Sequence, residues 1–320
     1  MRPVSPRALL RQRFQVPDVT IPAGRMVELP GRGATYVTDS PGPTPDAPTV
    51  VLLHAVGCTG LLTWFPSIGP LSQRFRVVTL DQRWHGRGIQ SAEFSLADCA
   101  DDVAALLDAL GIGEAIVAGY SMGSIIAQRV WRQHPDRLAG LVLCATTDRF
   151  RSTVTERVFH QGMEVTMLGA REISRSRTAA RAARAAGRAT NDALDIAPRD
   201  IHDWAVEEFR STSPWAVAQA VAALGRHHSR PWLNRIDVPT AVVVTLRDRV
   251  LPPDNQLALA RRIRGATTHP VDAGHAACVM QADRFVPAFL EAVGTVHARR
   301  RDFPPRGRLS EPPRSSSETA

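Results

Sequence analysis

The chain has 320 residues, is 44% apolar and 22% charged, and carries a net charge of +8; such a length can bury a core without disulfides or a structural metal, as one large domain or two small ones. No apolar run approaches the ~20 residues of a membrane span. No lysine occurs, so all 39 basic residues are arginine, which excludes a Schiff-base lysine, a Ser-Lys dyad and a Walker A phosphate loop.

Residues 1–24 hold Pro and Arg without periodicity and read as an irregular lead-in. Two short runs within 25–39, separated by Pro-Gly-Arg-Gly, predict a hairpin. Residues 49–53 (TVVLL) are a continuous apolar run, the pattern of a strand buried on both faces. Strand and helix then alternate: 76–80 (RVVTL) strand, 95–110 helix, 115–118 strand, 123–134 helix, 138–144 strand. Ser95 is the expected N-cap of the first helix and Gly111 its stop. This rhythm predicts a mostly parallel, eight-stranded sheet with helices on both faces, its first part spanning 25–146.

The alternation breaks over 147–235, where helical patches rich in Ala and Arg predict an inserted helical cap. Strands are expected again at 241–246 and 268–272, and helices at 255–264 and 283–293, completing the core over 236–298. Residues 299–320, with three consecutive arginines and two Pro-Pro pairs, read as a disordered tail.

The positive charge is localised. Residues 171–188 hold six arginines against Glu172, and 299–320 hold six against three acids, so these two segments account for the whole excess. Arg177, Arg181, Arg184 and Arg188 would share one helical stripe. A solvated face is the ordinary reading; a cationic lip for an anionic substrate or a membrane headgroup is the sharper one. No nucleic-acid module is visible. The four cysteines (58, 99, 144 and 278) form no CxxC, so no disulfide framework is expected. The N-terminal arginines precede no apolar signal segment, which makes the cytoplasm the default compartment.

Gly119-Tyr120-Ser121-Met122-Gly123 lies between an apolar strand and a helix. A serine in so sharp a turn stands exposed at the strand end, and the helix start offers free N–H groups to a developing oxyanion. A serine hydroxyl needs a base. His275, in a Gly-containing loop after the last expected strand, is the candidate. An imidazole needs an orienting carboxylate; Asp248 follows the strand at 241–246, and Asp148 is the competing acid. The other reading of Asp248 is a loop ion pair with Arg247 or Arg249. The loop at 54–57 (HAVG) would supply a second oxyanion donor, so the expected pair is the N–H of Met122 and the N–H of Val56. His54 and His85 are expected to brace loops, His134 to be structural, and His227 and His228 to be solvated cap residues. Cys58 and Cys278 fit no zinc spacing, so no metal is expected.

Together these segments resemble the α/β-hydrolase superfamily over about 25–146 and 236–295. HAVG at 54–57 corresponds to its oxyanion segment, DQRWHGRG at 81–88 to a stretch of the type DxRGHGxS, GYSMG at 119–123 to the nucleophile elbow, TLRDRVLP at 245–252 to the acid loop, and Ala273-Gly274-His275 to the base. Ala55 stands where the family carries glycine and would be strained at positive φ. Leu246 and Ser124 replace two further family glycines. The resemblance implies a cofactor-independent serine hydrolase with triad Ser121, Asp248 and His275, cleaving a carboxylic ester of modest size. The same triad serves thioesters, lactones, a C–C bond or perhydrolysis, and a non-catalytic ligand-binding scaffold is the remaining alternative. Trp64, Trp84 and Trp215 are expected to make the pocket apolar. The expected partner is a small acyl substrate, without nucleic acid.

Overall fold

The computed structural model describes residues 21–150 and 201–303. Strands β1 (Gly24–Leu29) and β2 (Gly33–Ser40) form the expected hairpin, turning through Gly31 at φ 73°. The other strands are β3 (Thr49–Leu53), β4 (Arg76–Leu80), β5 (Ala115–Tyr120), β6 (Leu138–Cys144), β7 (Thr240–Thr245) and β8 (Thr267–Val271). They build one eight-stranded sheet in the order β1-β2-β4-β3-β5-β6-β7-β8. The β1–β2 and β2–β4 pairs are antiparallel; every pair from β4 to β8 is parallel.

Parallel strands cannot be joined by tight turns, so each crossover lays a helix on a face of the sheet. The result is two apolar layers fed by alternate residues of the same strands. Val51, Leu53, Val117, Leu141 and Val244 point into one layer, against α2 (Leu96–Ala109) and α3 (Met122–Gln133). Val50, Leu52, Ile116, Val142 and Val243 point into the other, against α1 (Gly60–Ser72) and the helix Ala282–Arg299. Central strands buried on both faces are therefore apolar without interruption, as in VVLL and AIVA. Ser95 caps α2, its hydroxyl accepting from the N–H groups of Ala97 and Asp98 at 3.1 and 3.3 Å.

Helix α1 was not expected from sequence, because Pro66 and Pro70 lie inside it. Its start is nonetheless marked by Thr59, whose hydroxyl accepts from the N–H of Leu62. Trp64 sits on this helix fully buried among Tyr120, Phe285 and Phe289. It is core, not the pocket lining expected of it, because its face of α1 is the one pressed on the sheet.

Between β6 and β7 the described residues hold α4 (Ile201–Arg210) and α5 (Pro214–Gly225). The arginine stripe of residues 177–188 lies outside the described residues. After β7 come α6 (Pro253–Arg262), the short α7 (Ala277–Met280) and α8 (Ala282–Arg299). The chain continues past the expected tail boundary: α8 includes Arg299, and Arg300–Asp302 adds a 3-10 turn. Phe285, Phe289, Ala292, Val293 and Val296 give α8 an apolar face that reaches the sheet, which is why the helix extends so far. Residues 304–320 lie outside the described residues. No helix among the described residues is long and apolar enough to cross a membrane.

Candidate active site

Among the described residues three non-glycine residues have positive φ: Trp84, Ser121 and Ala145. All follow strand ends on one edge of the sheet. Ser121, at φ 52° and ψ −112°, is the tightest point of the β5–α3 turn. Both flanking glycines are required by contact. A Cβ on Gly119 would meet the backbone of Gly123 at 2.2 Å, and a Cβ on Gly123 would meet the carbonyl of Leu53 at 2.1 Å. The turn is fastened by Ser121 N–H donating to Cys144 C=O at 2.9 Å. Ser124 fastens it again: its hydroxyl accepts from the N–H of Cys144 at 2.9 Å and donates to Gly119 C=O at 2.5 Å. Serine at 124 is thus a second staple for the strained serine at 121.

His275 lies on the loop after β8. Its Nε2 is 3.1 Å from Ser121 Oγ, and its Nδ1 is 2.7 Å from Asp248 Oδ2. Asp248, on the loop after β7, has a fully buried side chain. Its Oδ1 accepts from the N–H groups of Val250 and Leu251, each at 2.8 Å. Its Oδ2 accepts also from the Thr245 hydroxyl at 2.8 Å and from Gln256 Nε2 at 3.3 Å. Burial pushes this carboxyl up, but the hydrogen bond to His275, the Leu251 N–H, the imidazole charge and the Thr245 hydroxyl together hold it below the usual carboxylate range. With Asp248 ionised, His275 Nδ1 is the donor and Nε2 is left to accept from Ser121.

The three residues come from loops separated in sequence because β5, β6, β7 and β8 are successive neighbours. Tyr120 ties the first to the last, its hydroxyl donating to His275 C=O at 2.9 Å. Arg247 N–H donates to Ala273 C=O at 2.9 Å, and Gly274 N–H to Gln281 Oε1 at 2.9 Å. Tyr120, Thr245, Gln256 and Gln281 were missed in sequence. Tyr120 alone carried a signal, as the variable residue before the serine.

The competing readings separate cleanly. Asp148 is buried against Arg230 and Arg262, at 2.9 and 3.5 Å, while His275 Nδ1 bonds Asp248 instead. Arg247 pairs with Asp272, at 2.5 and 2.6 Å, not with Asp248.

On the loop after β3, His54 is fully buried and desolvation lowers it to about 4, against a smaller upward pull from its bond to Ala55. Its ring is therefore neutral. Nε2 accepts from Gln82 N–H at 2.8 Å, so Nδ1 carries the proton and donates to Ala55 C=O at 2.8 Å. In a trans peptide the next N–H points opposite that carbonyl, so His54 sets the direction of Val56 N–H. Ala55 is not at positive φ; Gly57 is, at 75°, so alanine at 55 adds no strain. Met122 opens α3, and its N–H has no partner within the helix. His85 is buried, with Nδ1 2.8 Å from Arg83 C=O. His134 bonds Asp101 at 2.7 Å. Trp84 is half-buried, with its indole N–H donating to Ser91 C=O at 3.1 Å. Among the described residues no group of three or more His, Cys, Asp or Glu could hold a metal.

A doubly covered, mostly parallel sheet that presents a strained serine beside a histidine and a buried aspartate defines an α/β hydrolase fold. The family model so described matches residues 48–280, and the chain belongs to that family. Two relatives align over most of their length. One is 3-oxoadipate enol-lactonase 1 of Acinetobacter baylyi, 24% identical, covering 83% of this chain and 95% of the relative. The other is the pimeloyl-[acyl-carrier protein] methyl ester esterase of Neisseria meningitidis serogroup B, 27% identical, covering 78% and 94%. Identity to RutD of Caulobacter vibrioides is higher, 38%, but the match spans only 32% of this chain and 38% of RutD. Among solved structures, a hydrolase from Pseudomonas aeruginosa PA01 superposes with a TM-score of 0.66 at 25% identity, covering 85% of this chain and 98% of the other.

Proposed function

We propose that the chain is a serine hydrolase cleaving a carboxylic ester of modest size through an acyl-enzyme. The observation that carries this reading is the unbroken relay from Ser121 Oγ to His275 Nε2 at 3.1 Å and from His275 Nδ1 to Asp248 at 2.7 Å. Ser121 attacks the acyl carbonyl while His275 takes its proton. Asp248 holds the imidazole in the required tautomer and stabilises the imidazolium. The N–H groups of Met122 and Val56 bind the tetrahedral oxyanion. His275 returns the proton to the leaving alcohol, and the C–O bond breaks. Water, deprotonated by His275, then attacks the acyl-serine and releases the acid.

We propose that the described part of the insertion, α4 and α5, acts as a lid over this site. The Val217 side chain of α5 lies 3.4 Å from where a Cβ on Gly57 would stand, which puts α5 against the oxyanion loop. The likeness to an enol-lactonase over 83% of the chain favours one second substrate class, a lactone; ring opening would follow the same steps, with the alcohol remaining tethered to the acyl group. We place the reaction in the cytoplasm, where the four thiols stay reduced.

The test is a panel of p-nitrophenyl esters of graded chain length beside a δ-lactone. Turnover of at least one class is expected, with kcat falling by about 10⁴- to 10⁶-fold in Ser121→Ala and His275→Ala, and the double variant little worse than either. Near-normal turnover in Ser121→Ala would refute the mechanism.

A further inference from the structure

His227 and His228 follow α5 and were expected to be solvated. His228 is exposed, but His227 is only 2% exposed, in a turn closed by its N–H donating to Leu224 C=O of α5 at 2.9 Å. Neither ring nitrogen of His227 has a hydrogen-bond partner. Buried polar atoms of this kind are rare, since each gives up water and gains nothing.

His227 lines a cavity of about 380 Å³ with Arg149, Phe150, Gly225, Arg226 and His228. Arg149 and His228 face each other across an antiparallel backbone bridge, which fixes the mouth. Arg129, on α3, stands close by and has its own Nε buried without a partner. Among the described residues no ion pair joins Arg129 or Arg149 to an acid. Asp148, next to Arg149 in the chain, is engaged by Arg230 and Arg262. Glu93 lies in a neighbouring cavity, of about 250 Å³, shared with Arg129 and Arg226.

This place is separate from the triad. Ser121 stands at the start of α3 and Arg129 eight residues along it, about 12 Å at 1.5 Å per residue. Arg149, at the cavity, and Arg129, beside it, carry permanent charge with no acid partner among the described residues, which favours an anion. Desolvation, with Arg129 and His228 nearby, lowers His227 to about 3, so its ring is neutral and offers one donor and one acceptor.

We infer that this cavity binds a small oxyanion, a phosphate or a carboxylate, with Arg149 and His228 at its mouth and the His227 ring at its floor. The Arg149 guanidinium takes the charged oxygens, and the His227 N–H donates to one of them. A hydrogen phosphate, carrying both O⁻ and O–H, can engage either ring nitrogen; a carboxylate engages only the donor.

The full chain is titrated with sodium phosphate and, separately, with sodium succinate, at an ionic strength held constant with sodium chloride. Calorimetry should show saturable binding of at least one anion. At ten times Kd the Tm should rise by about 2 °C. Arg149→Gln should weaken binding about tenfold or more while leaving ester turnover unchanged. In the wild type, ¹⁵N ring resonances of His227 should move along the same saturation curve, which needs no variant to fold. Binding of phosphate alone or of succinate alone supports the site and tells the two sources apart. No saturable response to either anion, or binding that leaves the His227 resonances still, overturns it.

Discussion

Replacing Asp248 by asparagine changes one oxygen to an amide and leaves the volume almost unaltered. The structure dictates which oxygen. Oδ1 faces two backbone N–H groups, of Val250 and Leu251, both at 2.8 Å; an NH₂ there would oppose two fixed donors. The amide nitrogen must therefore take the Oδ2 place, 2.7 Å from His275 Nδ1. The Thr245 hydroxyl can turn to accept from it. The imidazole must then accept at Nδ1 and carry its proton on Nε2, facing Ser121 Oγ at 3.1 Å. In that tautomer it cannot take the serine proton. Loss of the base function in this way costs about 10⁴-fold in kcat, or about 5.5 kcal/mol in transition-state stabilisation. Steady-state hydrolysis of the best p-nitrophenyl ester measures it, with circular dichroism showing that the fold is kept. An Asp248→Asn protein that retains kcat within tenfold of wild type would refute the tautomer argument.

Three further outcomes are expected. Ser124→Ala removes the acceptor of the buried Cys144 N–H and one fastening of the elbow, and should cost about 1–3 kcal/mol in urea unfolding; a loss below 0.5 kcal/mol, as ordinary surface changes give, would show that the staple is idle. Burial lowers His54 to about 4 and both His85 and His227 to about 3. In the unfolded chain these rings take protons near 6.5 while the native rings do not, so stability is whole above about pH 6.5 and falls as pH drops toward 5, by up to about 1.4 kcal/mol per pH unit for each ring. Asp81 and Glu208, both raised chiefly by burial, pull the other way nearer their own range. Unfolding free energy that stays flat from pH 7 to pH 5 would contradict this. Glu208 of α4 accepts from the Thr59 hydroxyl and pairs with Arg87 at 3.1 Å; Glu208→Ala should raise KM more than it lowers kcat if α4 helps seat the lid, and a pure kcat loss would argue otherwise.

Much of this arrangement was legible in the sequence because its signals are short-range. Apolar runs of strand length mark β3 to β7. GYSMG marks a turn whose glycines are compelled by backbone contacts within a few ångström. The order Ser121, Asp248, His275 follows from loops on successive strands. What stayed hidden depends on contacts distant in sequence. The depth of His227 is decided by how α5 meets the core, and the core role of Trp64 by α1, whose prolines disguise a helix. The buried partners of Asp248 are equally silent: Gln256 reaches it from the next helix, where one polar residue in an amphipathic pattern looks like any other. Ala55 shows the reverse, a departure in sequence that the backbone absorbs because the left-handed position falls at Gly57.

Whether Ser121 is a live nucleophile can be read by peptide mass spectrometry after treatment with a fluorophosphonate. A single phosphonyl adduct is expected on Ser121, formed rapidly in the wild type and slowed by at least about 10³-fold in His275→Ala, since the alcohol is reactive only with its base. An unlabelled Ser121, or labelling at the same rate without His275, would contradict it.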